Sequence, residues 1–192
     1  MSQVLDLSEA DLTLFYENGI SQHFADQKPQ LKSLDDAINL LFVGRLVPYK
    51  GADMLLEAVA QAQSQKLSLS IVGDGPERQA LEQLTHQLGL QSQVTFTGWV
   101  SQQDILSYYT NADIFCFPSI REFGGAVVME AMAAGTACIT IDHGGVGEYI
   151  TSETGFKVKP ISRDHVIRRF TEHLDTLVSN PQLRYEISLR AQ

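Results

Sequence analysis

Cysteine and basic residues are both scarce in this sequence. Only two cysteines, Cys116 and Cys138, occur in 192 residues. Both lie in apolar, strand-like runs and neither has the spacing of a metal site, so we interpret them as buried thiols of a protein in a reducing cytosol. Lys and Arg number 14 against 23 Asp and Glu, for a net charge of −9. Because nucleic-acid-binding surfaces are usually basic, this charge argues against a nucleic-acid partner.

Long apolar runs and a secretion signal are also missing. No apolar run approaches the roughly 18 residues of a transmembrane helix. The opening Met-Ser-Gln-Val-Leu-Asp has no basic region followed by an apolar one. We therefore expect a cytoplasmic protein. With 44% hydrophobic and 19% charged residues, a chain of this length fits one globular domain with a substantial core.

Short apolar runs alternate with stretches of helical periodicity from about residue 38 onward. The predicted strands are 39–44, 67–72, 94–97, 113–117, 137–141 and 156–158. The predicted helices are 52–63, 76–88, 102–110 (capped by Ser101), 125–134, 163–178 and 181–190. This alternation is typical of an α/β fold with a doubly wound parallel sheet, Rossmann-like and layered α/β/α.

In such a sheet, ligands bind on the loops that follow the carboxyl ends of the strands. Each of these predicted loops contains glycine, and their ranges are 44–51, 73–77, 98–101, 118–125 and 142–147. The G-x-G-x-x-G and G-K-[ST] motifs of dinucleotide and ATP sites are absent from the sequence. An anionic ligand would have to be held by a few placed cations and backbone N–H groups.

Two basic residues, Arg45 and Lys50, lie on the loop that follows the first strong strand. No other Lys or Arg occurs between Lys32 and Lys66. Arg can bind phosphate through two parallel hydrogen bonds, and Lys supplies a compact charge. A lysine near a helix N-terminus faces the unfavourable end of the helix dipole unless an anion is present. We therefore predict a phosphate site, the alternative being two solvated loop cations.

Two glutamates, Glu122 and Glu130, bracket a glycine pair in an otherwise apolar stretch. Gly124 and Gly125 precede or begin a helix and suit an anion. Because helical side chains lean toward the helix N-terminus, Glu130 is expected to project toward the loop that carries Glu122. Two carboxylates beside a phosphate would be repelled by it. Their presence there is explained if they accept hydrogen bonds from the hydroxyls of a sugar. The alternative is that Glu122 is a surface residue and Glu130 pairs with an internal Arg.

Two further loops carry polar residues whose role the sequence leaves open. His143 lies at the start of the glycine-rich loop 142–147, where it either touches a ligand or is solvated. Glu148 is a candidate to cap or orient that loop. Asp74 is interpreted as a turn and cap residue first and a neighbour of the ligand second.

Taken together, these motifs resemble the nucleotide-sugar half of retaining GT-B glycosyltransferases, in particular glycosyltransferase family 4 (group 1). The resemblance covers about residues 38–160. It depends on Phe42-Val43-Gly44-Arg45-Leu46 with Lys50-Gly51, Ile71-Val72-Gly73-Asp74-Gly75-Pro76-Glu77, Val94-Thr95-Phe96-Thr97-Gly98, and Pro118-Ser119 followed by Glu122, seven residues and Glu130-Ala131-Met132-Ala133. The Asn18-Gly19-Ile20 tripeptide also resembles the linker that precedes this domain in the family.

The resemblance implies roles for particular residues. Arg45 and Lys50 would bind the donor diphosphate and stabilise the leaving phosphate, and Glu130 would accept hydrogen bonds from the ribose. Glu122 would hold the transferred sugar together with the backbone near Phe123. No metal or other cofactor is expected, and the donor substrate would be a sugar nucleotide of UDP or GDP. The backbone around residues 98–100 would face the base. The complete donor-binding set is Gly44, Arg45, Lys50, Gly73, Gly98, Trp99, Val100, Glu122, Phe123, Gly124, Gly125, Ala126 and Glu130.

The sequence also departs from the family pattern. The usual Glu-Gly-Phe-Gly is replaced by Glu122-Phe123-Gly124-Gly125, which shifts the local loop. An N-terminal acceptor domain is missing, so we interpret residues 1–37 as a linker and 38–192 as a C-terminal donor domain or fragment, nearly inactive alone. A full-length enzyme at the membrane periphery is a further expectation. The alternatives are a nucleotide-sugar-binding module without turnover, and a hydrolase or epimerase of sugar nucleotides.

Overall fold

A computed structural model describes residues 20, 22–29, 31, 36–64, 66–101 and 103–192 of the protein. The predicted linker residues Asn18 and Gly19, and Gln102 at the predicted start of a helix, lie outside this part. No helix in the described ranges is both long enough and apolar enough to cross a membrane.

Six parallel strands form one sheet in the order β3-β2-β1-β4-β5-β6. The strands are β1 (Ile38–Val43), β2 (Leu67–Val72), β3 (Val94–Gly98), β4 (Ile114–Phe117), β5 (Ala137–Ile141) and β6 (Gly155–Val158). Every residue of β4 and β5 is buried, as expected for strands covered on both faces. The predicted doubly wound α/β fold, with a parallel sheet and helices around it, is confirmed.

Helices connect the strands and cover the sheet. They are α1 (Gln22–Ala25), α2 (Ala52–Gln61), α3 (Arg78–Gln87), α4 (Ile105–Asn111), α5 (Ala126–Ala133), α6 (Gly144–Tyr149), α7 (Arg163–Ser179) and α8 (Pro181–Ala191). A 3₁₀ turn, Pro48–Lys50, precedes α2. The apolar periodicity of α2 turns Met54, Leu55 and Val59 inward, and all three are buried.

The strand order places a crevice where functional sites of such sheets occur. From β1 the chain proceeds to β2 and β3 on one side, and later returns to place β4 beside β1 and continue to the other side. The loops after β1 and β4 therefore lie side by side at the carboxyl edge of the sheet, and the chain leaves them toward opposite halves of the sheet. This is the topological switch point at which open α/β sheets bind ligands.

Two local predictions were wrong. The helix predicted over 102–110 is observed as Ile105–Asn111. In the turn before it, the Ser101 hydroxyl accepts the backbone N–H of Asp104, three residues on, as a capping serine does. The loop predicted at 142–147 contains helix α6. Its glycines have low helix propensity, but a Cβ on Gly144 would lie 2.4 Å from the carbonyl O of Glu122. Close packing on another loop therefore requires glycine at this position of the helix. Hydrophobic periodicity carries no signal of such packing.

Both cysteines are completely buried and free, as the sequence predicts. Burial raises the pKa of both thiols, and the neighbouring Cys138 adds to the effect at Cys116. A buried thiol that stays protonated is a poor nucleophile and metal ligand. Cys116 and Cys138 therefore contribute to packing and not to chemistry.

The core side of α7 contains a buried histidine that should make stability depend on pH. His173 is 8% exposed and stacks on Phe156, with ring centroids 4.3 Å apart. Burial, reinforced by Arg169, lowers its pKa to about 4 from 6.5. The unfolded chain therefore binds more protons between these values, so the free energy of unfolding should fall by about 2–3 kcal/mol as the pH drops from 6.5 to 4.

The control for this prediction is His173→Phe, which keeps an aromatic ring on Phe156. Urea denaturation of both proteins between pH 4 and 7 should show that the variant lacks the part of the slope due to His173. Equal slopes in the two proteins would contradict the prediction.

Candidate functional site

The loops that follow β1 and β4 pack directly on each other at the carboxyl edge. The backbone N–H of Ile120 donates to the carbonyl O of Tyr49 at 2.9 Å. Gly51 has a φ of 71°, and a Cβ at this position would lie 2.6 Å from the carbonyl O of Pro118. This approach is open to glycine alone. It brings Lys50 of one loop beside Glu122 of the other.

Lys50 and Glu122 form an ion pair between the Lys Nζ and one carboxylate oxygen, Oε2. Each side chain is only 16% exposed. The ammonium also lies 5.1 Å from the centre of the Phe117 ring, a favourable cation–π distance. The sequence places Lys50 at a phosphate and Glu122 at a sugar, and the contact between the two side chains is visible only in the structure. Since an ammonium has three donors, Lys50 can keep Glu122 and still bind an anion.

Arg45 lies on the same loop and is exposed. Within the described ranges its guanidinium has no carboxylate partner. The backbone beside it is anchored, since the N–H of Leu46 donates to Asp74 O at 2.9 Å and Leu46 O accepts from Glu77 N at 3.1 Å. An exposed guanidinium on an anchored backbone is suited to bind an anion that arrives from solvent.

Glycine backbones allow the loops that follow β1, β2 and β3 to pack closely together. Gly73 has a φ of 129°, and a Cβ there would lie 2.1 Å from Gly44 O. The N–H of Gly73 donates to Gly98 O at 2.9 Å. Gly44, Gly73 and Gly98, all predicted donor-binding residues, are thus adjacent, and the chain continues into an exposed Trp99 and a half-buried Val100.

The β4 loop ends at the N-terminus of α5. Gly125 has a φ of 55°, a Cβ on it would lie 2.3 Å from Val146 Cγ2, and no side chain caps the helix. The exposed Ala126 begins the helix. An uncapped helix start with its partial positive charge is suited to an anion. Phe123 is 94% exposed, so the shifted Glu-Phe-Gly-Gly loop presents an aromatic ring to solvent.

Glu130 lies within α5 and is half-buried. One of its oxygens accepts a 2.8 Å hydrogen bond from the hydroxyl of Tyr109 on α4. Burial raises the pKa of Glu130, and the Tyr109 hydrogen bond partly offsets this. Its partner in the described residues is therefore a tyrosine and not an internal Arg, the alternative given above. Tyr109 is not among the site residues predicted from the sequence, although a tyrosine within a predicted buried helix face needs a hydrogen-bond partner.

Three other residues singled out in the sequence lie nearby or at the rim. Asp74 accepts the N–H of Gly75 at 2.7 Å and pairs with Arg78 at 3.0 Å, which confirms its role in a turn. His143 is exposed and precedes α6, and Glu148 is exposed on that helix. Contact of His143 with a ligand stays a prediction, as does the role of Glu148 in capping or orienting the loop.

The fold described above is shared with known glycosyltransferase structures. The C-terminal domain of the Francisella tularensis group 1 family protein LpcC has a TM-score of 0.78 and 26% identity, over 90% of this chain and 94% of that one. Anabaena HepE, solved in complex with UDP, has a TM-score of 0.72 and 26% identity, over 83% of this chain and 44% of that one.

Sequence comparison agrees with the structural comparison. An uncharacterised glycosyltransferase of Methanocaldococcus jannaschii is 38% identical over 134 residues, which are 69% of this chain and 34% of that relative. This chain thus matches about a third of the length of that relative. The family model described as glycosyl transferases group 1 matches residues 23–192. The chain therefore belongs to the group 1 glycosyl transferases.

Proposed function

We propose that this chain binds the nucleoside diphosphate sugar that donates the sugar in a glycosyl transfer reaction. The observation that carries the proposal is the Lys50–Glu122 pair at the switch point, beside an uncapped helix start. Phosphate and sugar hydroxyls are adjacent in such a donor. A cation and a carboxylate in contact match that adjacency.

The diphosphate would lie between Arg45, Lys50 and the N-terminus of α5. Arg45 is exposed and can turn onto the phosphate, whereas Lys50 is already held by Glu122 and Phe117. As the bond between the sugar and the phosphate breaks, negative charge grows on the leaving phosphate. Cations fixed in a partly buried site stabilise that charge without reorganising, which lowers the barrier.

The sugar and the ribose would each take one glutamate. Glu122 uses one oxygen for Lys50 and has the other available for a hydroxyl of the transferred sugar. Glu130 similarly uses one oxygen for Tyr109 and would accept from the ribose with the other. The base would face the backbone of residues 98–100. HepE was solved with UDP, and we propose UDP or GDP as the diphosphate here.

Transfer of the sugar also needs an acceptor molecule. We assign the binding of this acceptor to a part of the protein outside this chain. The M. jannaschii relative is about three times as long as the matched segment, which supports a second, acceptor-binding domain. We further propose the family 4 type of reaction, with retention at the anomeric carbon, no metal, and a cytoplasmic enzyme that works at the membrane periphery. By this proposal the present chain binds the donor and transfers poorly alone.

The direct test of the proposal is isothermal titration calorimetry of this chain with UDP and GDP, and with their sugar conjugates. We expect at least one diphosphate to bind at micromolar to millimolar concentrations, and its unphosphorylated nucleoside to bind much more weakly. If none of these compounds bound at millimolar concentration, the proposal would be refuted.

Glu122→Gln should separate sugar binding from phosphate binding. The change removes a negative charge beside the diphosphate and releases Lys50, so the free diphosphate should bind at least as tightly as to the parent chain. The amide is a weaker acceptor for a sugar hydroxyl than a carboxylate. Any affinity that the sugar adds should therefore fall, by about threefold to tenfold for a lost hydrogen bond.

The measurement is the affinity ratio between nucleotide sugar and diphosphate in both proteins. Glu153→Gln, an exposed glutamate in the turn before β6 at the opposite, amino edge of the sheet, is the matched control and should leave the ratio unchanged. An unchanged ratio in Glu122→Gln would show that Glu122 does not contact the sugar.

A further inference from the structure

We infer that Tyr109 is a positioning residue for ribose recognition: its hydroxyl holds Glu130 in the orientation that accepts from the ribose. The inference rests on the proposed function, since it takes Glu130 as the ribose acceptor. It assigns a role to a residue that has no exposed surface and cannot touch the ligand itself.

Tyr109 is held rigidly. Its side chain is completely buried and packs against Phe24 and Phe115, with ring centroids 5.7 and 5.9 Å away. Its backbone carbonyl accepts the hydroxyl of Thr136 at 3.0 Å. A ring fixed on both sides and at its backbone presents its hydroxyl in one place, which long flexible side chains do not.

Glu130 needs such a partner. A glutamate has three rotatable side-chain bonds, and fixing them costs conformational entropy. The Tyr109 hydroxyl donates to Oε2 of Glu130 at 2.8 Å. This bond restrains the Glu130 side chain before any ligand arrives and leaves Oε1 for a hydroxyl donor. Pre-organisation of this kind improves affinity by reducing the ordering that binding must impose.

The hydrogen bond also favours the ionised form of Glu130. Burial raises the pKa of this carboxyl, and the Tyr109 hydroxyl is the group that lowers it in part. An ionised carboxylate accepts from a hydroxyl more strongly than a neutral carboxyl group. Tyr109 thus supports both the orientation and the acceptor strength of Glu130.

The test compares two ligands in two variants by calorimetry. The ligands are the diphosphate that the parent chain binds (UDP or GDP) and its 2′,3′-dideoxy analogue, which has no ribose hydroxyls. Tyr109→Phe should weaken the ribonucleotide about threefold to tenfold, as expected for one hydrogen bond, and leave the dideoxy analogue within twofold. Tyr108→Phe removes the neighbouring hydroxyl on the same helix and should change neither.

Each other outcome refutes a specific claim. Equal weakening of both ligands by Tyr109→Phe would show a purely structural role, and weakening of neither would show no role at all. If the parent chain bound both ligands equally, Glu130 would not read the ribose and the proposed site would be wrong. In a Glu130→Gln background, Tyr109→Phe should no longer change the ratio, and a change there would overturn the inference.

A second variant covers the case in which Tyr109→Phe does not fold. Glu130→Asp keeps the charge but shortens the side chain by one methylene, so it cannot reach Tyr109 and the ribose together. We expect it to lose most of the preference for the ribonucleotide. Full retention of that preference would contradict the inference.

Discussion

Lys50→Met should reduce the affinity of this chain for a nucleoside diphosphate by about 10- to 150-fold. This range corresponds to the loss of a hydrogen bond to a charged group, about 1.5–3 kcal/mol. We expect a loss in the upper part of this range for Lys50→Met. The change also leaves Glu122, which is 16% exposed, as an uncompensated charge beside the phosphate. Met keeps an unbranched stem on Phe117. Arg45→Ala should fall in the lower part, since Arg45 is exposed.

Calorimetry with the diphosphate measures this effect, and Arg168→Met is the matched control. Arg168 is 59% exposed on α7, pairs with Glu172, and its replacement changes the net charge equally. The control should bind like the parent chain. Adding Glu122→Gln to Lys50→Met should recover part of the lost affinity by removing the stranded charge. Parental affinity in Lys50→Met would refute a phosphate role for Lys50.

Gly73→Ala should destabilise the fold by about 4 kcal/mol, near the top of the usual range for single substitutions. Two causes add. The φ of 129° at Gly73 is a conformation that an L-residue adopts only with strain. The new Cβ would also lie 2.1 Å from Gly44 O, and the Gly44 backbone is tied to the end of β2 by the hydrogen bond from its N–H to Val72 O at 3.0 Å. Because this contact aligns the first two loops, donor binding should weaken as well.

Gly89→Ala separates these two causes. Gly89 also has a positive φ, 72°, but a Cβ there would meet nothing within 4 Å. This variant should therefore be destabilised by the backbone strain alone, by about 1–2 kcal/mol. Urea denaturation gives both free energies of unfolding. Similar losses in the two variants would show that the contact with Gly44 is unimportant.

Much of the fold could be predicted because its determinants are local. The buried runs that became β4 and β5 are apolar throughout, and Gly125 and Gly135 flank α5 where a helix must begin and end. The prediction of α6 as a loop was wrong because its packing on Glu122 and Phe123 depends on residues about 20 positions earlier. Local propensity carries no information about such packing.

The candidate site could be predicted as a region more readily than as a set of contacts. Parallel strands place their carboxyl ends together, so Arg45, Lys50, Glu122 and the α5 start had to share one edge of the sheet. The partners within that edge were not readable. Lys50 and Glu122 are 72 residues apart and Tyr109 and Glu130 are 21 apart, so their pairing depends on how two loops and two helices meet.

The sequence by itself determined the parallel α/β sheet, the buried thiols, the edge that carries the candidate site and the family to which the chain belongs. These follow from hydrophobic periodicity, glycine placement and motif spacing, all of which are properties of the chain taken in order. Only the tertiary structure decided that Lys50 binds Glu122, that Tyr109 holds Glu130, and that glycines draw the loops of β1, β2 and β3 together. These contacts depend on distances across the fold, where a difference of about 1 Å makes or breaks a hydrogen bond.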